Sequence, residues 1–343
     1  MKIPKIVIAI WILYTIISMF PAYNNVKNGY RREKIERCNK IVEEIEYLKS
    51  LRRLEIDTLS PISNKFELCN DQLAFDFLEA EAFLDDKEIN VASGQINRVI
   101  IDSFLLKFDT WPNGYKKIFR ENIVKIFIVS GTGYLASTYE IRPGKFVIFL
   151  DDISFTEKPN KQIFKNCLMD ENVKLYEIEE DSVSGSNSVI ACFENTMIHE
   201  LGHCVGSLFN VTPYLNHIVP TNDFFPFLDT LFVTEVKFHT TYKRFFNFTR
   251  SELNGNKWTT NQLYDNLEVY EKSDFPSLYS VKNPYEFFAE YFYLYFHQIV
   301  QKKPFYYELY IDGELKRRFD NQLITKQNTQ FMKTIQKINE FLK

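Results

Sequence analysis

The stretch His199-Glu200-Leu201-Gly202-His203 decides how this chain is read. It spells H-E-x-x-H. On a helix, residues four apart share a face, so His199 and His203 can aim two imidazoles at one metal ion. Glu200 lies beside them, placed to take a proton from a water activated by that ion. The flanking residues support a helix over about 191–207, with Phe193, Met197, Leu201, Cys204 and Leu208 as its apolar stripe. Gly206 extends the motif to H-E-x-x-H-x-x-G, and a residue without a side chain there admits close approach by another backbone.

A hydrolytic zinc site takes three protein ligands and keeps one position open. Three residues beyond Gly206, where a metzincin carries its third His, stands Phe209, so that pattern is excluded. A better third ligand lies downstream, in Asn283-Pro284-Tyr285-Glu286-Phe287-Phe288-Ala289-Glu290-Tyr291-Phe292. Asn283 is a good N-cap and Pro284 suits the first helical position, so a helix begins here. Glu286 and Glu290 share one face of it, among aromatics. A buried carboxylate needs a metal or a donor, and two on one stripe suggest a ligand and a partner behind it. Glu286 also stands where a capping box would use it, a reading that leaves Glu290 unexplained. The chain has five His. His217 and His239 are rival ligands, and His297 falls on the Glu290 stripe; packing is the ordinary role of a lone histidine.

HELGH followed by NPYEFFAEYF resembles the anthrax lethal factor-like metallopeptidases, gluzincins that include secreted Pro-Pro endopeptidases. The resemblance covers roughly residues 96–300. It implies Zn2+ held by His199, His203 and Glu286, with Glu290 hydrogen-bonded to a zinc-binding His. Tyr279, seven residues before Glu286, would stabilise the oxyanion, and Glu200 would be the general base. It also implies an extended peptide lying along an edge strand near Lys145–Leu150. Peptidases related to the Mlc titration factor share an N-P-x-E-F-F-A segment, but the Glu spacing here fits the lethal factor pattern better. From His203 to Glu286 is 83 residues, longer than that family leads one to expect. An aromatic-rich insertion at about 210–274 accounts for the excess.

The rest of the chain frames this domain. Ile123–Val129 is a β-branched run closed by Ser130-Gly131, and Lys145–Leu150 follows the turn Arg142-Pro143-Gly144; both read as strands. Residues 96–108 read as a helix, and 157–188 as a polar, acidic loop with some extended structure. Upstream, helical spacing from Tyr30 to Leu54, the break at Ser60-Pro61, and a second stretch from about Phe66 to Leu84 suggest a helical hairpin. The expected class is therefore α+β: a zincin-like domain at 94–343, with a small sheet, the H-E-x-x-H helix and a Glu-bearing helix, preceded by a helical hairpin region at 23–93.

Lys2 and Lys5 precede an apolar run from Ile6 to Phe20, short for a spanning helix and of signal-peptide length. Phe20-Pro21-Ala22 is a poor cleavage site, so residues 1–22 are read as a signal peptide or a membrane anchor. Lys27, Arg31, Arg32 and Lys34 follow the run and leave a cytoplasm-facing anchor open. The expected location is secreted or membrane-anchored, with the catalytic domain outside the cytoplasm. Five cysteines leave at least one unpaired within the chain. Cys38–Cys69 fits a bridge, and burial as small apolar residues fits equally. The net charge of −4, with no basic stripe, argues against nucleic acid. The expected partner is a protein or peptide substrate. A zinc endopeptidase leads; a catalytically silent zinc-binding or toxin-like module on the same fold is the alternative, and a tethered structural protein with a chance motif comes third.

Overall fold

The computed structural model describes residues 47, 50–54, 60–84, 89–157, 161–165, 168–179, 186–212, 232–234, 237–238, 257–320 and 330–342. They form a mixed α and β structure with two small sheets and a separate two-stranded pair, Phe232–Thr234 with Lys237–Phe238. The strands are β1 (Phe66–Leu68), β2 (Ala92–Ser93), β3 (Ile123–Ser130), β4 (Ala136–Arg142), β5 (Lys145–Asp151), β6 (Lys161–Ile163), β7 (Val173–Ile178), β8 (Phe232–Thr234), β9 (Lys237–Phe238), β10 (Tyr306–Ile311) and β11 (Glu314–Phe319). The helices are α1 (Gln72–Leu84), α2 (Arg98–Phe108), α3 (Asn113–Asn122), α4 (Ser186–Leu208), α5 (Thr260–Lys272), α6 (Pro284–Tyr295) and α7 (Gln330–Phe341).

The chain divides into two compact units. The smaller draws its described residues from 1–53, 70–92 and 131–133 and contains α1. Within it Tyr47 packs on Phe77, with ring centroids 5.3 Å apart, and Glu79 accepts from the Val91 N–H. The larger unit takes in 54–69, 93–130 and 134 onward.

In the larger unit the first sheet runs β1-β3-β5-β4. β1 and β5 lie parallel to β3, while β4 turns back antiparallel to β5. The central strands read as near-continuous apolar runs because both their faces are covered, as parallel strands require. Ile126, Ile128, Ile148 and Leu150 are buried, with α4 in the same core. The turn into β5 needs Gly144, at φ +70°. The edge strand expected near Lys145–Leu150 is not those residues themselves: β5 lies between β3 and β4, and among the described residues β4 is the outermost strand on that side.

The second sheet, β6-β7-β10-β11, is antiparallel throughout. Its β10–β11 hairpin closes on Asp312-Gly313, both at positive φ, as a tight right-twisted hairpin demands. β6 and β7 occupy part of the stretch expected to be mostly loop.

The expected upstream hairpin is met only in part. Most of the Tyr30–Leu54 stretch lies outside the described residues. In the second stretch, Phe66–Leu68 is a strand, drawn into the sheet by parallel pairing with Ile126–Ile128. The helix starts only at Gln72, after Asp71, whose carboxylate accepts from the Leu73 N–H. Residues 6–20 also lie outside the described residues, and no described helix is long and apolar enough to cross a membrane. Cys69 is buried; Cys38 falls outside the described set.

Candidate metal centre

α4 and α6 pack against each other, and their contact explains the composition of both. A Cβ on Gly202 would stand 2.9 Å from the Ala289 Cα, so only a residue without a side chain lets the two backbones meet. This is the close approach expected of Gly206, shifted one turn. Gly206 instead faces side chains, with its would-be Cβ 2.8 Å from both Phe288 Cδ1 and Thr212 Oγ1. The stripe Phe193, Met197, Leu201 and Cys204 is buried as the spacing predicts. On the neighbouring face, the His199 and His203 rings lie 4.9 Å apart and almost perpendicular.

α6 starts as the sequence indicates. Asn283 caps it by accepting from the Glu286 N–H at 2.9 Å, with Pro284 in the first turn. The Glu286 carboxylate does not return to the cap. Its Oε2 lies 3.1 Å from His199 Nε2 and 3.4 Å from His203 Nε2. Its Oε1 accepts from the Tyr279 hydroxyl and from the Lys282 ammonium, each at 3.0 Å. One turn on, Glu290 Oε1 is 2.8 Å from His199 Nδ1. Two imidazole nitrogens and a carboxylate oxygen thus converge within 4.8 Å of one another.

These donors fit a divalent metal ion. With Nδ1–H donating to Glu290, the His199 Nε2 carries a lone pair and faces the carboxylate oxygen of Glu286. An acceptor facing an acceptor needs a cation between them, either a proton or a metal. Two imidazoles with one carboxylate are a zinc-type donor set. The same logic appears in the proton equilibria. Burial lowers the His199 pKa, but the flanking Glu286 and Glu290 carboxylates outweigh it and hold the imidazole well above its ordinary value. Burial pushes Glu286 up, but Lys282 and the two histidines bring it well below the usual carboxylate range. Tyr279 is 45% exposed while its hydroxyl donates to Glu286. Desolvation and the Glu286 charge raise that phenol well above its ordinary value.

Glu200 is buried and points across to the sheet. Its Oε2 accepts from the Thr138 hydroxyl on β4 at 2.6 Å. Every residue expected at the site from sequence is therefore in one place: His199, His203, Glu286, Glu290 and Tyr279 in direct contact, and Glu200 on the adjoining face of α4. Two neighbours escape the sequence reading. Thr138 is 62 positions from Glu200 and carries no local signal. Lys282 stands four residues before Glu286, at a spacing that would have revealed it once the carboxylate was in hand.

His297 belongs elsewhere. It is fully buried, and its Nε2 meets the carbonyls of Glu179 and Pro304 at 2.8 and 2.9 Å rather than any site residue. His217 and His239 lie outside the described residues. Comparison with family models, with curated proteins and with solved structures returned no match.

Proposed function

We propose that this chain is a zinc-dependent endopeptidase with a zincin-like catalytic domain of the lethal factor-like gluzincin type, exported or anchored through residues 6–20. The observation that carries this reading is the convergence of His199, His203 and Glu286 from two helices, with Glu200 next to the first ligand. That Glu290 orients His199, as a ligand imidazole ordinarily requires, adds independent weight.

His199 Nε2, His203 Nε2 and Glu286 Oε2 would hold the ion. When bound, zinc acidifies an attacking water and polarises the scissile carbonyl. Glu200 takes the proton from that water and delivers it to the leaving amine as the C–N bond breaks. Thr138 donates to one oxygen of Glu200, which fixes the plane of the carboxylate and leaves the other oxygen for the water. The Tyr279 hydroxyl exchanges Glu286 for the substrate oxygen as negative charge develops there. β4 comes close to Glu200 through Thr138, and an extended peptide would lie alongside it.

The test is metal analysis of the purified full-length protein together with a peptide-library digest, with and without chelator. One zinc per chain and chelator-sensitive cleavage are expected. Glu200→Gln should keep the metal and the fold while activity falls by about 100-fold or more. A wild-type protein that binds no metal, or a Glu200→Gln protein of undiminished activity, would overturn the reading.

A further inference from the structure

Lys282 occupies an unusual place beside the proposed site. The chain makes a short 3-10 turn at Tyr279–Val281, and Lys282 follows it directly, closed by its N–H to the Tyr279 carbonyl at 3.0 Å. That turn is firmly built. Ser277 Oγ accepts from the Ser280 N–H at 3.0 Å, the Ser280 hydroxyl donates to the Ser277 carbonyl, and the Leu278 N–H donates to the buried Tyr307 hydroxyl at 3.0 Å. Asn283 then starts α6. Tyr279, Lys282 and Glu286 are therefore presented from one rigid segment.

The ammonium of Lys282 lies 3.0 Å from Glu286 Oε1 and 3.4 Å from the Tyr279 hydroxyl oxygen. It also sits over the rings of Tyr134 and Tyr279, at 5.1 and 5.5 Å from their centroids. An exposed ion pair four residues apart on a helix contributes little. This one meets a buried carboxylate whose other oxygen faces two imidazoles. A cation there draws charge away from a ligand carboxylate, so a site selected only for tight metal binding would not keep it.

We propose that Lys282 is a positioning residue of this site. Its ammonium holds the outer oxygen of Glu286, so that only the inner oxygen faces the histidines, and it retains that outer oxygen when the Tyr279 hydroxyl turns to a substrate carbonyl. By donating to the Tyr279 oxygen it also makes the O–H a stronger donor, since hydrogen bonds in a chain polarise one another. The inference rests on the zinc-peptidase reading above.

The experiment compares wild type with Lys282→Met and Lys282→Gln, each as the full chain, by metal content, rate of metal stripping by chelator, visible absorption after cobalt substitution, and steady-state kinetics. In both variants the metal should be stripped no faster than in wild type, because the freed oxygen can join the metal. The cobalt absorption should weaken as the ion gains a ligand. kcat should fall about tenfold or more with KM little changed, the size usual for groups that orient metal ligands. Variants with the wild-type cobalt spectrum and kcat within about twofold would overturn the inference and leave the peptidase reading standing. So would variants that fail to fold or lose metal, which would make Lys282 a structural residue. A wild-type chain without metal would overturn both.

Discussion

Glu194 and Glu286 are both buried carboxylates, on the two helices that pack together around the site. Only one of them faces other acceptors. Glu194 is surrounded by donors: its Oε1 accepts from the Trp111 indole at 2.9 Å and the Gln301 amide at 2.8 Å. Its Oε2 takes Lys107 at 3.3 Å, with the Lys303 ammonium 3.7 Å away. Glu286 has donors on one oxygen only, and its other oxygen meets two imidazole nitrogens. The lesson is that burial of a carboxylate does not identify a ligand. The mismatch of acceptor against acceptor marks a candidate, because a cation, either a proton or a metal, must lie between them. Glu194 and His199 are five positions apart, which places them about 140° apart around α4. One helix thus carries a paired charge cluster on one side and the candidate metal cluster on another.

The comparison is broken most directly by exchanging the two losses. Glu286→Ala should abolish metal binding, read by metal analysis, while the protein stays folded. Glu194→Ala should retain one metal per chain but lose about 3 kcal/mol of stability, since removal of one partner strands buried donors. Chemical denaturation of the chelated proteins measures this. Metal retained by Glu286→Ala would pass the ligand role to Glu290. Metal lost from a folded Glu194→Ala protein would erase the distinction altogether.

How far the sequence carries the reading depends on where each signal lies. The α4 motif, the Asn283-Pro284 start of α6 and the run that becomes β3 are written in neighbouring residues, and the structure forms all three. The contacts His199–Glu286 and His199–Glu290 join two stripes that the spacing sets out, while which carboxylate meets which group is what the resemblance implies. β4 is different. Ala-Ser-Thr-Tyr-Glu-Ile-Arg has no clean alternation, and its extended form comes from pairing with β5. Thr138 is invisible for the same reason. Phe66–Leu68 reads as helix locally and becomes strand because β3 offers it a parallel edge. Two signals were available and small. Tyr115, Ile118 and Phe119 mark the buried face of α3. Asp312-Gly313 marks the β10–β11 turn.

A third buried group, just beyond the end of α6, sharpens the contrast through pH. Burial first, and then the nearby Lys303 ammonium, push His297 down to about 4, the opposite direction from His199. Its unfolded value is about 6.5. A histidine kept neutral in the fold contributes stability that is complete above the unfolded pKa. That stability is lost as pH falls toward the folded one, because the unfolded chain binds the proton first. Glu179, raised to about 7 by burial and Glu177, gives the opposite slope over a similar range, so the wild-type profile alone is uninformative. The difference between wild type and His297→Gln isolates the histidine. It should change by about 3 kcal/mol in favour of the variant between pH 7 and pH 4, measured by urea denaturation. Parallel profiles would show that His297 binds its proton as readily in the fold as in the unfolded chain.

The smallest effect tests whether the backbone or the side chain sets Glu286. Asn283 holds the Glu286 N–H, while Tyr279, Lys282 and the two histidines meet its carboxylate. If the side-chain contacts dominate, Asn283→Ala removes a cap and little else. It should cost about 1 kcal/mol, the usual worth of an N-cap. The carboxylate would stay in place because four groups still fix it, and metal affinity should remain within about threefold, a shift of well under 1 kcal/mol. Thermal unfolding of the chelated protein reads the first quantity and chelator competition the second. A drop of about tenfold or more in metal affinity, with the same small loss of stability, would mean that the cap aims the ligand. Glu286 would then differ from Glu194 in a second way: its place would depend on where the helix begins as well as on what surrounds the carboxylate.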